Sequence, residues 1–182
     1  MNASNPLLSI IVVTKNDQEN LFATLESIPS TLDCEILVQD AESSYNILEK
    51  LSGHILYSKV RLEIKRDSGI YDGMNKAISR ARGDFVCFLN CGDLFTEFAE
   101  AGLSSILVRL GDNFDVVKFL AETPDNGIQI ERASPFYFFR RMLNHQSLVY
   151  RKSAFSKWRF DASHRIISDM RHFLESGLMS RT

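Results

Sequence analysis

Two nearly continuous apolar runs, Leu8 to Val13 and Phe85 to Leu89, restrict the folds open to this chain more than any other feature. A strand with water on one face alternates apolar and polar residues. A run without alternation suits a strand covered on both faces, as in a parallel sheet between layers of helix. The first run is rich in β-branched residues and ends in Thr14-Lys15-Asn16-Asp17, and the second ends in Asn90-Cys91-Gly92-Asp93. Each buried strand is therefore expected to deliver a polar tip to its carboxyl end.

The intervening sequence supplies the crossovers. Leu21, Leu25 and Ile28 repeat at helical spacing until Pro29, Glu35 to Val38 reads as a second strand ending at Gln39-Asp40, and Ile47, Leu48 and Leu51 mark a short helix closed by Gly53. Val60, Leu62 and Ile64 alternate into a third strand that runs to Arg66-Asp67. Ile70, Met74, Ala77, Ile78 and Ala81 then share one helical face, with Gly83 as the expected stop. Strand and helix alternating in this way predict stacked right-handed βαβ units, hence an α/β fold with a mainly parallel sheet and helices on both faces. The four polar tips would meet at one edge, where open α/β sheets bind their ligands. Beyond Asp93 the pattern predicts a helix through Leu103 and Leu107, stopped by Gly111, and a strand over 116–120. A turn at Asp125-Asn126-Gly127 leads to a strand over 128–131, a short strand follows at Leu148 to Tyr150, and a last helix runs near Ser168 to Glu175.

With 182 residues, 45% of them hydrophobic, the chain fits one domain with a substantial core. A formal net charge of −2 offers no overall basic field for nucleic acid. Cys34, Cys87 and Cys91 have no metal-ligand spacing, and two of them lie in predicted strands, as buried free thiols do in a reducing compartment. The amino terminus lacks the basic segment of a secretory signal, and the run Leu7 to Val13 is far shorter than the ~20 residues that span a bilayer. These features predict a cytoplasmic protein, at most peripheral to the membrane.

No G-x-G-x-x-G follows the first strand and no G-x-x-x-x-G-K-[ST] occurs, so a phosphate ligand would need another means of neutralisation. Asp93 is suited to that task, because Mg²⁺ or Mn²⁺ commonly binds through one or two carboxylates together with substrate phosphates.

The segments Ile10 to Asn16, Glu35 to Asp40, Asp67-Ser-Gly-Ile-Tyr-Asp-Gly-Met-Asn-Lys-Ala77, Gly83-Asp-Phe-Val-Cys-Phe-Leu-Asn-Cys-Gly-Asp93 and His145 to Arg151 closely resemble family 2 glycosyltransferases of the GT-A fold. The resemblance runs from about Leu7 to about Glu175. It implies one GT-A domain over 1–182, with a nucleotide-sugar donor half over about 1–93 and an acceptor half over about 94–182. It further implies inverting transfer from a nucleotide-diphospho-sugar, a UDP-sugar first among them, to a glycan or lipid-linked acceptor, in cell-surface polysaccharide or glycan synthesis. Carried over by position, Thr14, Lys15, Asn16 and Asp40 would hold the nucleoside. Asp67, Asp72, Asn75 and Asn90 would line the nucleotide cleft, His145 and Gln146 would flank the donor, Asp93 would bind Mg²⁺ or Mn²⁺, and Asp169 would be the general base. The fuller signature has acids where this chain has Asn90 and Gly92, which leaves one carboxylate at that tip.

Each residue also has an ordinary structural reading. Asp93 and Asp169 suit helix caps and Asp40 a turn, Asp67 is placed to cap a helix or pair with Arg66, and Asp72 sits where the helix dipole favours a carboxylate. The segment Phe136 to Arg141 reads as core with two solvated arginines or as a membrane-facing edge. Two other functions stay open: a nucleotide-sugar-binding module without catalysis and a sugar-phosphate nucleotidyltransferase. The latter would normally carry a glycine-rich basic loop after the first strand. Homo-oligomerisation is equally open.

Overall fold

The computed structural model describes residues 5–111, 114–119, 121–123, 127–129, 145–156 and 159–163. Its strands are β1 (Leu8–Thr14), β2 (Cys34–Asp40), β3 (Val60–Ile64), β4 (Phe85–Asn90), β5 (Val116–Lys118), β6 (Ala121–Thr123), β7 (Gly127–Gln129) and β8 (Leu148–Arg151). The helices are α1 (Gln18–Ser27), α2 (Ile47–Leu51), α3 (Ile70–Arg80) and α4 (Glu97–Leu110), with short 3-10 turns at Tyr57–Lys59, His145–Ser147 and Lys152–Phe155.

Six strands form one sheet in the order β3-β2-β1-β4-β8-β5. The first four are parallel, β8 runs antiparallel to them, and β5 at the edge is antiparallel to β8 and so runs with the first four. Strands β1 to β3 step in one direction, and the chain then crosses back to place β4 on the other side of β1. The direction of winding thus reverses between β1 and β4, the place where α/β sheets open a crevice. β6 and β7 pair separately as an antiparallel ribbon around the predicted turn.

All seven residues of β1 and of β2 are buried, as the unbroken apolar runs require. On one face Ile10, Val12, Ile36, Val38 and Cys87 pack under Leu21 and Leu25 of α1, Ile47 and Leu51 of α2, and Leu103 and Leu107 of α4. On the other, Ile11, Val13, Leu37, Val86 and Phe88 meet Tyr71, Met74, Ala77 and Ile78 of α3, together with Tyr150, Phe155 and Phe160.

Two local expectations change. Leu48 and Ile70 are exposed, and Tyr71 takes the place of Ile70 on the buried face, because the packing arc of α3 is set by Met74, Ala77 and Ile78. Gly83 does not stop α3, which already ends at Arg80 with Ala81 extended. Its hydrogen is needed for space: a Cβ there would stand 2.6 Å from the Ser9 nitrogen and 2.8 Å from the Leu8 carbonyl carbon. His54 is half-buried, with Nδ1 accepting from the Leu56 N–H at 3.2 Å. Among the described residues no helix is long and apolar enough to cross a membrane.

A buried carboxylate fastens the edge opposite the strand tips. Glu35, at the start of β2 and 3% exposed, accepts from Ser9 Oγ at 2.8 Å, Arg61 at 2.8 Å, Arg82 Nε at 3.1 Å and the Arg82 backbone N–H. Burial alone would raise its pKa, but these donors together outweigh it and hold the carboxyl down at about 2. Ser9 Oγ in turn accepts from the Gly83 N–H at 2.9 Å.

Candidate functional site at the strand tips

Register brings the predicted tips to one edge: Thr14 pairs with Asp40, and Val13 with Asn90. Asn16 adopts a left-handed backbone (φ 54°), which asparagine tolerates. It joins the β1 tip to the loop after β2, its N–H donating to Ser43 Oγ at 2.7 Å and its Oδ1 accepting from the Ser44 N–H at 2.8 Å. Asp40 is buried and accepts from both the Ser43 N–H and its hydroxyl. A carboxylate has about four lone-pair sites, so Asp40 keeps accepting capacity for a ligand N–H. Ser43, which serves both tips, was not singled out in the sequence; its position three residues after Asp40 was the available signal.

The β4 tip is a tight turn. The Asp93 N–H donates to the Asn90 carbonyl at 3.0 Å, and Asp93 Oδ2 accepts from the Asn90 N–H at 3.0 Å. Gly92, at φ +94°, supplies the backbone that other residues rarely adopt. Asp93 is therefore not the cap of α4, whose N-cap is Thr96. Thr24 of α1 braces the turn, accepting from the Gly92 N–H at 2.9 Å and donating to the Asn90 carbonyl at 3.4 Å. Ser27 does the same for the Phe95 N–H at 3.0 Å. Thr24 lies among the buried residues Leu21, Phe22 and Leu25 of α1, a polar residue on its apolar face. Asn90 Oδ1 is buried without a hydrogen-bond partner among the described residues. Cys91 has its thiol pushed up to about 11, first by burial and then by the charges of Asp17, Asp93 and Asp40, with the Thr14 hydroxyl opposing. Three carboxylates thus surround this tip, and the thiol stays protonated.

Asp67 and Asp72 sit at the start of α3. Asp67 Oδ1 accepts from the Gly69 N–H at 3.1 Å, and its other oxygen lies so close to α3 that a Cβ on Gly73 would be 2.9 Å away. Burial raises its pKa against the pull of the Gly69 N–H, Lys76 and Lys15, and Asp72 adds to the rise. Among the described residues Asp67 makes no ion pair with Arg66. Asp72 is held low, first by the hydrogen bond from Lys76 at 2.9 Å and then by the Ser68 N–H. Its carboxylate is thus engaged within the first turns of its own helix.

Asn75 reaches across the fold. Its amide nitrogen donates to the Phe160 carbonyl at 2.8 Å, and its Oδ1 accepts from the Phe160 N–H at 3.1 Å. Asn75 thus clamps the backbone at Phe160, near the start of the described C-terminal segment, to α3. His145 and Gln146 form the 3-10 turn before β8. Asp169, the segment Phe136 to Arg141 and the predicted last helix lie outside the described residues. Among the described residues no three His, Cys, Asp or Glu side chains are grouped to hold a metal by themselves.

This doubly covered sheet with acidic tips at its switch point has the GT-A architecture seen in solved structures. The chain is similar to S. aureus TarS 1-349 in complex with UDP (TM-score 0.69, 19% identity, 94% of this chain and 55% of that one). It is also similar to the mannosyltransferase PcManGT from Pyrobaculum calidifontis in complex with GDP-Man and Mn²⁺ (TM-score 0.71, 16% identity, 97% and 53%). The chain belongs to glycosyl transferase family 2, whose family model matches residues 9–167. A PGL/p-HBAD biosynthesis glycosyltransferase of Mycobacterium bovis (strain BCG / Pasteur 1173P2) is 26% identical over 195 residues, covering 97% of this chain and 73% of that protein. The chain spans about half the length of these solved structures.

Proposed function

We propose that this chain transfers a sugar from a nucleotide-diphospho-sugar, a UDP-sugar first among candidates, to an acceptor hydroxyl with inversion, on a glycan or lipid-linked acceptor of the cell surface. The observation that carries the reading is the meeting of the Thr14–Asn16, Asp40 and Asn90–Asp93 tips at the β1/β4 switch point of a family 2 chain. The UDP, UDP-GlcNAc and GDP-Man held by its structural neighbours support the donor class.

Lys15 and the polar atoms of Thr14, Asn16 and Asp40 would receive the nucleoside, with Asp67 across the cleft and His145 and Gln146 flanking the donor. The β4 tip fits a hard divalent cation: Asn90 Oδ1 is buried and unpartnered, and Asp93 has one oxygen outside the turn's hydrogen bonding. An oxygen pair of this kind suits Mg²⁺ or Mn²⁺ that takes its other ligands from a diphosphate. When bound, such an ion would neutralise the charge growing on the departing nucleotide diphosphate. Asp169 would accept the proton of the acceptor hydroxyl as that oxygen attacks the anomeric carbon.

Calorimetry with UDP- and GDP-sugars, with and without Mn²⁺, beside a turnover assay tests the reading. Asp93→Asn is expected to weaken Mn²⁺-dependent donor binding about tenfold or more, a loss of ~1.4 kcal/mol. Asp169→Asn is expected to leave donor binding intact while lowering turnover by ~10²–10⁴. No binding of any nucleotide-sugar in Mn²⁺ would overturn the proposal. The single carboxylate at the β4 tip favours one second reading, a binding module without catalysis, which predicts donor binding with no turnover.

A further inference from the structure

At the sheet edge opposite the strand tips lies a pocket of about 410 Å³ whose wall includes Arg82, Asp84, Arg151, Lys152, Ser153 and Arg159. Four cationic side chains face one carboxylate there, in a chain whose net charge is −2. The concentration follows from the fold. Phe85 at the start of β4 pairs with Arg151 at the end of antiparallel β8, so the loop Arg82–Asp84 and the turn Lys152–Phe155 are brought side by side. The Lys152 N–H fixes that juxtaposition by donating to the Asp84 carbonyl at 2.9 Å.

Two of the guanidinium groups are already held in place. Arg82 is anchored through Nε and its backbone N–H to Glu35, while its side chain remains 58% exposed. Arg151 lies over the Phe85 ring at 4.9 Å, its Nε donates to the Phe114 carbonyl at 3.2 Å and its Nη2 to the Gly111 carbonyl. Lys152 and Arg159 are exposed and form no ion pair among the described residues. Anchored arginines beside unneutralised cations and the Ser153 hydroxyl make a surface suited to a tetrahedral oxyanion, which guanidinium groups bind through paired N–H donors. The pocket lies within the size range of small-molecule sites. The length of β4 separates it from the donor edge by roughly 20 Å, so it is not part of the nucleotide cleft.

We infer that this pocket is a second anion site that binds a phosphate group, carried either by a small soluble phosphate or by a phospholipid headgroup. The decisive variant is Lys152→Glu with Arg159→Glu, two residues outside the donor edge. Inorganic phosphate is titrated by calorimetry, and vesicles of phosphatidylcholine with and without phosphatidylglycerol are tested by co-sedimentation, each against wild type and variant. Any anion taken at the donor edge is common to both proteins and cancels in the difference. Binding of phosphate to wild type that falls tenfold or more in the variant assigns a soluble ligand. Retention on phosphatidylglycerol vesicles alone, lost in the variant, assigns a headgroup. Equal binding by both proteins, or binding by neither, overturns the inference. A melting temperature for the variant within a few degrees of wild type excludes loss of fold, and Lys152→Ala with Arg159→Ala repeats the comparison if charge reversal unfolds the chain. Nucleotide-sugar binding is expected to be unchanged in the variant, so this inference and the proposed function fail separately.

Discussion

Replacing Glu35 by glutamine keeps the shape of a buried side chain and removes its charge. The carboxyl is held at about 2 against an ordinary value of 4.5, a difference of 2.5 pH units that corresponds to about 3 kcal/mol favouring the folded state at neutral pH. That figure is an upper bound. Arg61 and Arg82 are 37% and 58% exposed and recover water once the carboxylate is gone, and the glutamine oxygen still accepts from one donor. A loss of roughly 2–3 kcal/mol is expected, which in a chain of this size lowers the melting temperature by about 4–12 °C. The sign with pH follows from a depressed folded pKa. The contribution is complete above about 4.5 and drains away as pH falls toward about 2. Urea unfolding followed by circular dichroism should therefore show a wide gap between wild type and Glu35→Gln at neutral pH that closes in acid. A gap that persists unchanged to about pH 2.5, or none at neutral pH, would refute the reasoning.

Two further substitutions probe the frame of the site. Asn75→Ala removes both hydrogen bonds to the Phe160 backbone, so a loss of about 1–3 kcal/mol is expected by thermal unfolding; an unchanged melting temperature would show that the clamp contributes nothing. Gly83→Ala drives a methyl group into the backbone of Leu8 and Ser9, and should cost near the upper end of ~1–3 kcal/mol. A variant as stable as wild type would mean that the edge can open.

The parts of the fold legible in the sequence were those in which neighbouring residues carry the signal. The unbroken runs in β1 and β4 specified strands covered on both faces, and the polar residues after them specified where the tips would gather. The Glu35 network was not legible, because Ser9, Arg61 and Arg82 stand 26 to 47 positions away and only the sheet brings them together. Asn75 shows the limit in another way. Its motif marked it as important, but its partner is the backbone of Phe160, and a backbone atom leaves no trace in residue identity. The reversed direction of β8 was equally hidden, since a short apolar strand reads the same in either direction.

The aromatic cluster on the α3 face has a consequence for synthesis of the chain. Phe88 meets Phe155 and Phe160 edge-on, at ring separations of 5.8 and 5.3 Å, and Tyr71 lies 5.4 Å from Phe160. The parallel strands are all complete by Asn90, but the rings that cover this face arrive roughly 70 residues later, about 4–14 s at ordinary rates of translation. For that interval the nascent half-sheet holds Tyr71, Met74 and Phe88 with part of their cover missing. A nascent chain with between about 95 and 150 residues outside the ribosome would present a sticky surface for chaperones, and one with Phe160 outside far less of it.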